Sequence, residues 1–514
     1  MDNETLSLLY SAPTYTSVGG ISPMRCDFRL SSFIQTYEHI RNIIGFQDEH
    51  LWRTHAIERI VRRYIKLYSS ERFVVETFLE ELVIGGYFSE NALTRECVTR
   101  VEKAMQKYLA AYNFVVRVEA APRRQAYYWF LGLMAVEIED IAGLLDQQKK
   151  SLQASISVLK NRLQFPPFYF SEEEKDIFLL LLATRTFLKK EVAFAACILM
   201  EKQMPAWFKS TDEKESLSLQ VWGMRETFRH YERHPLYKEL TRITRPHGTV
   251  MIVLERLVNT YHMHLESVHV KTERVLESLY NELKEKMRRR IMHNLIFLLI
   301  TKAILIIAIE VSYDIWRHCV VQWAQLAMNM TIPLVFFLLF PLSARITNKE
   351  NTEESVREIA RLVKGEQTRL ETRLALPKEQ TIAASVFYRI LLGSAYGIVY
   401  GGILYGLYRL HFNLVGSIFF VLLTTMAVLL GVRLRYHMEE FRIVPPTYRI
   451  SVELVYFLGT PMLVVGQWII RTFAGRNSLI LASIDRLIEP PFKRILYFIR
   501  NFSDFMREKR ELIA

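Results

Sequence analysis

The sequence predicts an all-α protein in two parts, a helical domain followed by a multi-pass bundle of membrane helices. Apolar residues recur at helical spacings through the first half, and no Asn-Gly or Asp-Gly hairpin signal lies between alternating segments. The second half contains apolar stretches long enough to cross a hydrocarbon core of about 30 Å. Arg288, Arg289 and Arg290 stand directly before the first of these stretches, where the chain changes character.

The composition agrees with a chain that is half water-soluble and half membrane-embedded. Of the 514 residues, 50% are apolar, the mean hydropathy is +0.09 and the net charge is +12. Basic residues cluster beside the apolar stretches, so we attribute the excess to loops that face a bilayer with an anionic cytoplasmic leaflet. This explanation disfavours a nucleic-acid partner. The four cysteines lie far apart and include no CxxC pair, so neither a disulfide framework nor a zinc site is predicted.

The order of elements in the first half follows from periodicity and breakers. Residues 1–28 contain several Pro and Gly and are predicted to be a flexible arm. Helical periodicity then predicts an all-helical domain over 29–245, in which Ser171 and Glu174 form a capping-box pattern. Residues 249–290 carry apolar side chains at three-, four- and seven-residue steps without Pro or Gly, which predicts one long helical stalk that continues into the membrane.

Four membrane spans are predicted within 291–432, at about 291–311, 321–342, 391–408 and 414–432. A helical loop, 344–381, separates the second span from the third. Lys and Arg are abundant before the first span, in this loop and after the fourth span, but nearly absent from the other two turns. This alternation predicts that the domain and both termini face the cytoplasm.

The chain after the fourth span is predicted to stay at the cytoplasmic surface. The apolar run 454–470 is at the lower length limit for a span, so we expect a re-entrant or interfacial segment. Residues 477–514 alternate apolar and basic side chains and form an amphipathic tail. The cations expected to contact anionic lipid are Lys493, Arg494, Arg500 and Arg507.

Two charged residues, Lys302 and Glu310, lie inside the predicted first span. Because a charge in hydrocarbon is costly, such residues usually face a bundle interior or water, and one interpretation is an ion or proton path. The other interpretation places Glu310 near the outer interface, with Lys302 extended toward the membrane surface or paired within the bundle. We favour the second, because the other spans offer few polar partners.

The predicted third span is rich in glycine at small-xxx-small spacing, which allows close approach of helices. The residues concerned are Gly393, Gly397, Gly401, Gly402 and Gly406. We expect them to pack within the bundle, with a homo-oligomer interface as the alternative.

No pattern in the sequence indicates catalysis. The chain contains neither a phosphate-binding GxxxxGK[ST] loop, nor a GxSxG nucleophile elbow, nor a GxGxxG turn after a strand. His262, Glu266 and His269 share one face of the stalk, but a closed metal site needs a further ligand, so we interpret them as a solvated face. The sequence therefore predicts no enzyme, no cofactor and no metal.

Three segments resemble a class of bacterial proteins in which a helical domain precedes a small membrane bundle. They are RTHAIERIVRRYIKL, TIPLVFFLLFPLSARITNKEN and IDRLIEPPFKRILYFIRNF. The class carries no known activity, so the resemblance implies architecture and no mechanism.

More than half of the chain is predicted to be cytoplasmic helix, and the outer turns are too short to bind much. We therefore expect an adaptor or scaffold that positions a cytoplasmic protein partner at the membrane. The alternative is a transporter or channel subunit that uses the charged residues of the first span.

Overall fold

The computed structural model describes twelve segments of the chain. They are 51–67, 75–89, 94–163, 170–209, 214–245, 247–261, 268–305, 310–318, 323–343, 349–364, 382–439 and 459–469. The regular elements of these segments are helices, as the sequence predicts. The predicted arm 1–28 and the whole tail 477–514 lie outside them, and the run 454–470 is described only over 459–469.

Eleven helices build a domain over 51–261, which we call the helical domain. They are α1 (Trp52–Leu67), α2 (Val75–Ile84), α3 (Arg95–Val118), α4 (Arg123–Ile141), α5 (Asp146–Arg162), α6 (Glu172–Thr186), α7 (Val192–Gln203), α8 (Ala206–Lys209), α9 (Lys214–Arg233), α10 (Pro235–Thr244) and α11 (His247–Tyr261).

Local sequence sets where these helices begin. The Thr94 hydroxyl accepts a hydrogen bond from the Cys97 amide at 3.1 Å and caps α3. At α6 the predicted capping box is present, with Ser171 Oγ accepting from the Glu174 amide at 3.2 Å and the Glu174 carboxylate accepting from the Ser171 amide at 2.8 Å.

Helix α4 is the centre of the helical domain. It is apolar on nearly all sides and packs against α1, α3, α7 and α9. Phe130, Leu133 and Ile138 are almost fully buried along its length. A helix that is apolar all round requires neighbours on every side, which explains its central position.

The second part of the chain continues with α12 (Val268–Leu305), α13 (Ser312–His318), α14 (Trp323–Ser343), α15 (Lys349–Val363), α16 (Ile382–Arg409) and α17 (Leu414–Glu439). Helix α12 runs without interruption from the charged stalk through Arg290 into the apolar sequence. The main helix pair is α14 with α17, and α12 packs against both. We call α12 from Ile291, α14, α16 and α17 the apolar bundle; its buried centre includes Leu298, Phe337 and Leu430.

The stalk differs from the single continuous helix that its apolar spacing predicts. Helices α11 and α12 pack side by side, and Arg256 Nη2 lies 2.5 Å from Glu282 Oε2. In one continuous helix these residues would be about 39 Å apart, since each residue adds about 1.5 Å. The apolar side chains of the stalk are therefore buried between two helices of the same chain.

Two helices of the described part are long and apolar enough to cross a membrane, Ile390–Arg409 and Leu414–Arg435. The apolar part of α14, Trp323–Leu339, is shorter. The first predicted span crosses 306–309, outside the described part. Length and composition thus support membrane association through two helices, and the arrangement with four spans stays a prediction.

Candidate functional site: the junction of the helical domain and the apolar bundle

Helix α15 lies between two helices of the apolar bundle in sequence, yet it packs into the helical domain. Its neighbours are α11 and α12. Val356, Ile359 and Leu362 on its apolar face belong to the same buried cluster as the core of the helical domain. Helix α15 therefore belongs to the core of the helical domain, whereas the apolar bundle has a separate buried cluster.

A buried ion pair connects residues that are 196 positions apart at the junction. Arg162 Nη1, at the end of α5, donates to Glu358 Oε1 of α15 at 2.7 Å. The two side chains are only 5% and 8% exposed, so water screens the charges little. Arg361 Nη1 lies 3.6 Å from the other carboxylate oxygen of Glu358. A buried pair of this kind specifies one docking position, because a shifted α15 would leave a charge without its partner.

His247 completes this cluster at the start of α11. Its Nδ1 lies 3.4 Å from Arg162 Nη1 and 3.8 Å from Glu358 Oε1. Burial, together with the positive charge of Arg162, lowers the pKa of His247, while Glu358 opposes the shift. The imidazole is therefore neutral at neutral pH, and its Nδ1 can accept a hydrogen bond from the guanidinium.

A second polar contact holds the first turn of α15. Asn351 Nδ2 donates to the Tyr280 hydroxyl of α12 at 3.0 Å, and both side chains are buried. Ser355 Oγ donates to the Asn351 carbonyl at 2.6 Å. Because the contacts at Asn351 and Glu358 are about two helical turns apart, they fix the position and the rotation of α15 against α12 and α5.

Helix α4 carries further buried charges inside the helical domain. Lys107 Nζ bonds Glu137 Oε1 at 2.7 Å, and the ammonium also lies 5.2 Å from the Trp207 ring centre. The Glu139 carboxylate accepts from Thr54 Oγ1 at 2.6 Å and lies 3.5 Å from Lys190 Nζ. These groups join α1, α3 and the turn before α7 to α4, so their evident role is to hold the domain together.

The structure buries Glu310, one of the two charged residues singled out in the predicted first span. The side chain is 2% exposed, and Asn329 Nδ2 of α14 donates to its Oε1 at 2.6 Å. The carboxylate faces the first turn of α17, where Asn413 Oδ1 accepts from the Gly416 amide at 2.6 Å. A carboxylate is favourable at a helix N-terminus, because the backbone dipoles there are positive. Glu310, which lies between α12 and α13, thus contacts two helices of the apolar bundle, α14 and α17.

The other predicted site residues are less informative. Lys302 lies on α12, and its side chain is outside the described part. The cations of the tail, Lys493, Arg494, Arg500 and Arg507, are also outside it.

Among the described segments, no helix lies close to the five glycines of α16, which were expected to pack within the bundle. For Gly393, Gly397, Gly401, Gly402 and Gly406, no heavy atom of the described segments lies within 4 Å of the position that a Cβ would take. An interface between copies of the chain at the glycine face of α16 therefore stays a prediction.

No group of three or more His, Cys, Asp or Glu side chains is placed to hold a metal ion within the described residues. His262 and Glu266 of the stalk face are outside them.

The sequence predicted a helical loop over 344–381, which contains α15, but did not identify Glu358 as a site residue. Nothing near α15 in the sequence indicates a partner in α5, almost two hundred residues earlier. The charged residue sits at the edge of the apolar stripe formed by Val356 and Ile359, where most charged side chains are solvated.

The class of protein that emerges is all-helical, with a large helical domain followed in the chain by two helices apolar enough to enter a membrane. Comparison with known proteins finds no matching family, no matching curated protein and no matching solved structure.

Proposed function

We propose that the protein is an integral membrane adaptor that presents a cytoplasmic helical domain to a protein partner. The observation that supports this proposal most directly is the junction, in which Arg162 and Glu358 fix the domain against α15. A domain that is held rigidly loses less orientational freedom when a partner binds, so the docking increases affinity and defines geometry at the membrane.

The proposed membrane arrangement is the four-span one, in the bacterial inner membrane, with the domain on the cytoplasmic side. It is supported by the two apolar helices, by the apolar part of α14 and by the alternation of Lys and Arg along the chain. In this arrangement α15 belongs to a cytoplasmic loop, which is consistent with its packing against the helical domain.

The second candidate function is a transporter or channel subunit, and the observation in its favour is Glu310. A buried carboxylate among membrane helices commonly marks an ion or proton path. Its contact with Asn329 and its proximity to the first turn of α17 favour a structural role for Glu310 instead, so we rank this function second.

One experiment separates the two functions. Crosslinking in intact cells, followed by identification of the captured proteins, is carried out on the full chain, on a chain that begins at Lys284, and on the variant Lys302→Leu/Glu310→Leu. An adaptor gives a reproducible set of cytoplasmic proteins with the full chain and with the variant, and loses it on truncation.

The opposite result is equally informative. If all three proteins capture the same membrane proteins or only copies of the chain, the adaptor is rejected. Ion or proton flux into liposomes that is abolished by Lys302→Leu/Glu310→Leu would then establish the second function.

A further inference from the structure

Folding brings two separate basic runs to the same end of the apolar bundle. One is 284–290 in α12, and the other is 433–435 in α17. Ile291 directly follows the first run and packs against a buried apolar cluster that includes Leu434, which lies inside the second run. The side chains that flank these two residues are therefore at the same level of the bundle, although about 140 positions separate them in sequence.

Together, the two basic runs carry an excess of positive charge. The run 284–290 has five cations and one carboxylate, Glu285. Counted to residue 440, the second run has two arginines followed by two carboxylates, Glu439 and Glu440, which leaves an excess of four positive charges. Arg289 Nη2 lies 3.6 Å from Glu285, but both side chains are about three-quarters exposed, at 73% and 76%. Exposed pairs of this kind are weak and do not remove the attraction for an external anion.

In the proposed membrane placement, the arginines stand where the apolar helices reach the lipid phosphates. Arg433 and Arg435 end the apolar helix Leu414–Arg435 and are half-buried, as is Arg290 at the start of the apolar part of α12. A guanidinium at the end of an apolar helix extends its polar head to the membrane surface, where the phosphate groups lie. Its fork of N–H donors fits two phosphate oxygens at once.

We propose that Arg290, Arg433 and Arg435 form a binding site for the phosphate headgroup of an anionic phospholipid, between α12 and α17 on the cytoplasmic side. The site rests on the proposed membrane placement. It goes beyond the general attraction of basic loops to an anionic leaflet, because arginines from two helices converge on one lipid, as in basic pockets between membrane helices. A lipid bound there would join the stalk helix to the last helix of the bundle.

The test uses the full-length protein in nanodiscs that contain phosphatidylcholine and phosphatidylglycerol. After extraction into mild detergent, native mass spectrometry counts the lipids that each protein retains. We expect retained phosphatidylglycerol in preference to phosphatidylcholine. The variant Arg433→Gln/Arg435→Gln should retain less, by about fivefold for each arginine removed. Arg433→Lys/Arg435→Lys keeps the charge and should lose less.

The matched control is Arg123→Gln/Arg124→Gln, which removes the same charge from two exposed positions at the start of α4 in the helical domain. It should retain phosphatidylglycerol like the wild type. Equal retention by the control and by Arg433→Gln/Arg435→Gln would overturn the site, as would displacement of the lipid by millimolar inorganic phosphate. Failure of the wild type to insert into nanodiscs would overturn the membrane placement and the site together, whereas insertion without preferential retention would overturn the site alone.

Discussion

At the scale of single residues, the contact with the largest expected energetic effect is the ion pair between Arg162 and Glu358. We expect Glu358→Leu to lower the free energy of unfolding by about 3–5 kcal/mol, because it leaves a buried guanidinium without its carboxylate. Arg162→Met should have a similar effect. The double variant should be less destabilised than either single one, since two apolar side chains can replace a buried pair. Thermal unfolding of the detergent-solubilised full chain measures all three.

The control for these three variants is an exposed ion pair, Lys160 and Asp176, whose charged atoms lie 3.4 Å apart. Asp176→Ala should change the stability by about 1 kcal/mol or less, because water screens exposed charges. If the two single effects at the buried pair simply add in the double variant, the two residues are not coupled and the proposed role of the junction is wrong.

His247 makes the stability of the junction depend on pH. Its pKa in the folded protein is below the ordinary value of 6.5, so the unfolded chain binds the proton first as the pH falls. The contribution of the neutral imidazole is therefore complete above about pH 6.5 and decreases as the pH falls below that value. We expect His247→Asn to flatten this part of the pH profile, measured as the thermal midpoint between about pH 5 and pH 8. Parallel profiles for the two proteins would contradict the assignment.

At the scale of elements, the turn between α16 and α17 is closely packed against Glu310. A Cβ added at Gly416 would lie 2.8 Å from Glu310 Oε1 and 2.8 Å from Asn413 Oδ1, which is closer than side chains pack. We expect Gly416→Ala to move the carboxylate away from the start of α17 and to lower the thermal midpoint of the bundle.

The comparison variant is Gly402→Ala in α16, where a Cβ meets no heavy atom of the described part within 4 Å. It should leave the midpoint unchanged or raise it, because Ala favours helix over Gly. Equal loss of stability in both variants would show that Gly402 is packed, and would favour an interface at the glycine face of α16.

At the scale of the whole molecule, the proposed topology predicts which cysteines an impermeant reagent reaches in intact cells. With Cys26 and Cys319 changed to Ser, the remaining Cys97 and Cys197 are buried, and burial raises the pKa of each thiol, so the background reaction is slow. A cysteine at Leu410, exposed between α16 and α17, should be labelled from outside.

The matching position inside is Arg123, at the exposed start of α4 in the helical domain. Arg123→Cys should react only after the cells are permeabilised. Labelling of this position in intact cells would place the helical domain outside and reverse the proposed orientation.

The sequence by itself determined the helical class and several helix starts. Periodicity alone indicates helices, and the capping box at Ser171 and Glu174 follows from a local pattern, because capping hydrogen bonds join residues only three apart. The apolar sequence of α16 and α17 likewise contains the information that these helices can enter a membrane, since hydrocarbon thickness sets their length.

Only the tertiary structure decided how the parts meet. The apolar positions of the stalk do not specify whether another copy of the chain or α11 covers them, because both arrangements require the same apolar spacing. Nothing local marks Glu358 as the partner of Arg162, since a charge at the edge of an apolar stripe is usually solvated. Contacts between residues far apart in sequence depend on how whole helices pack, and the junction, the cluster around Glu310 and the shared end of α12 and α17 are all of this kind.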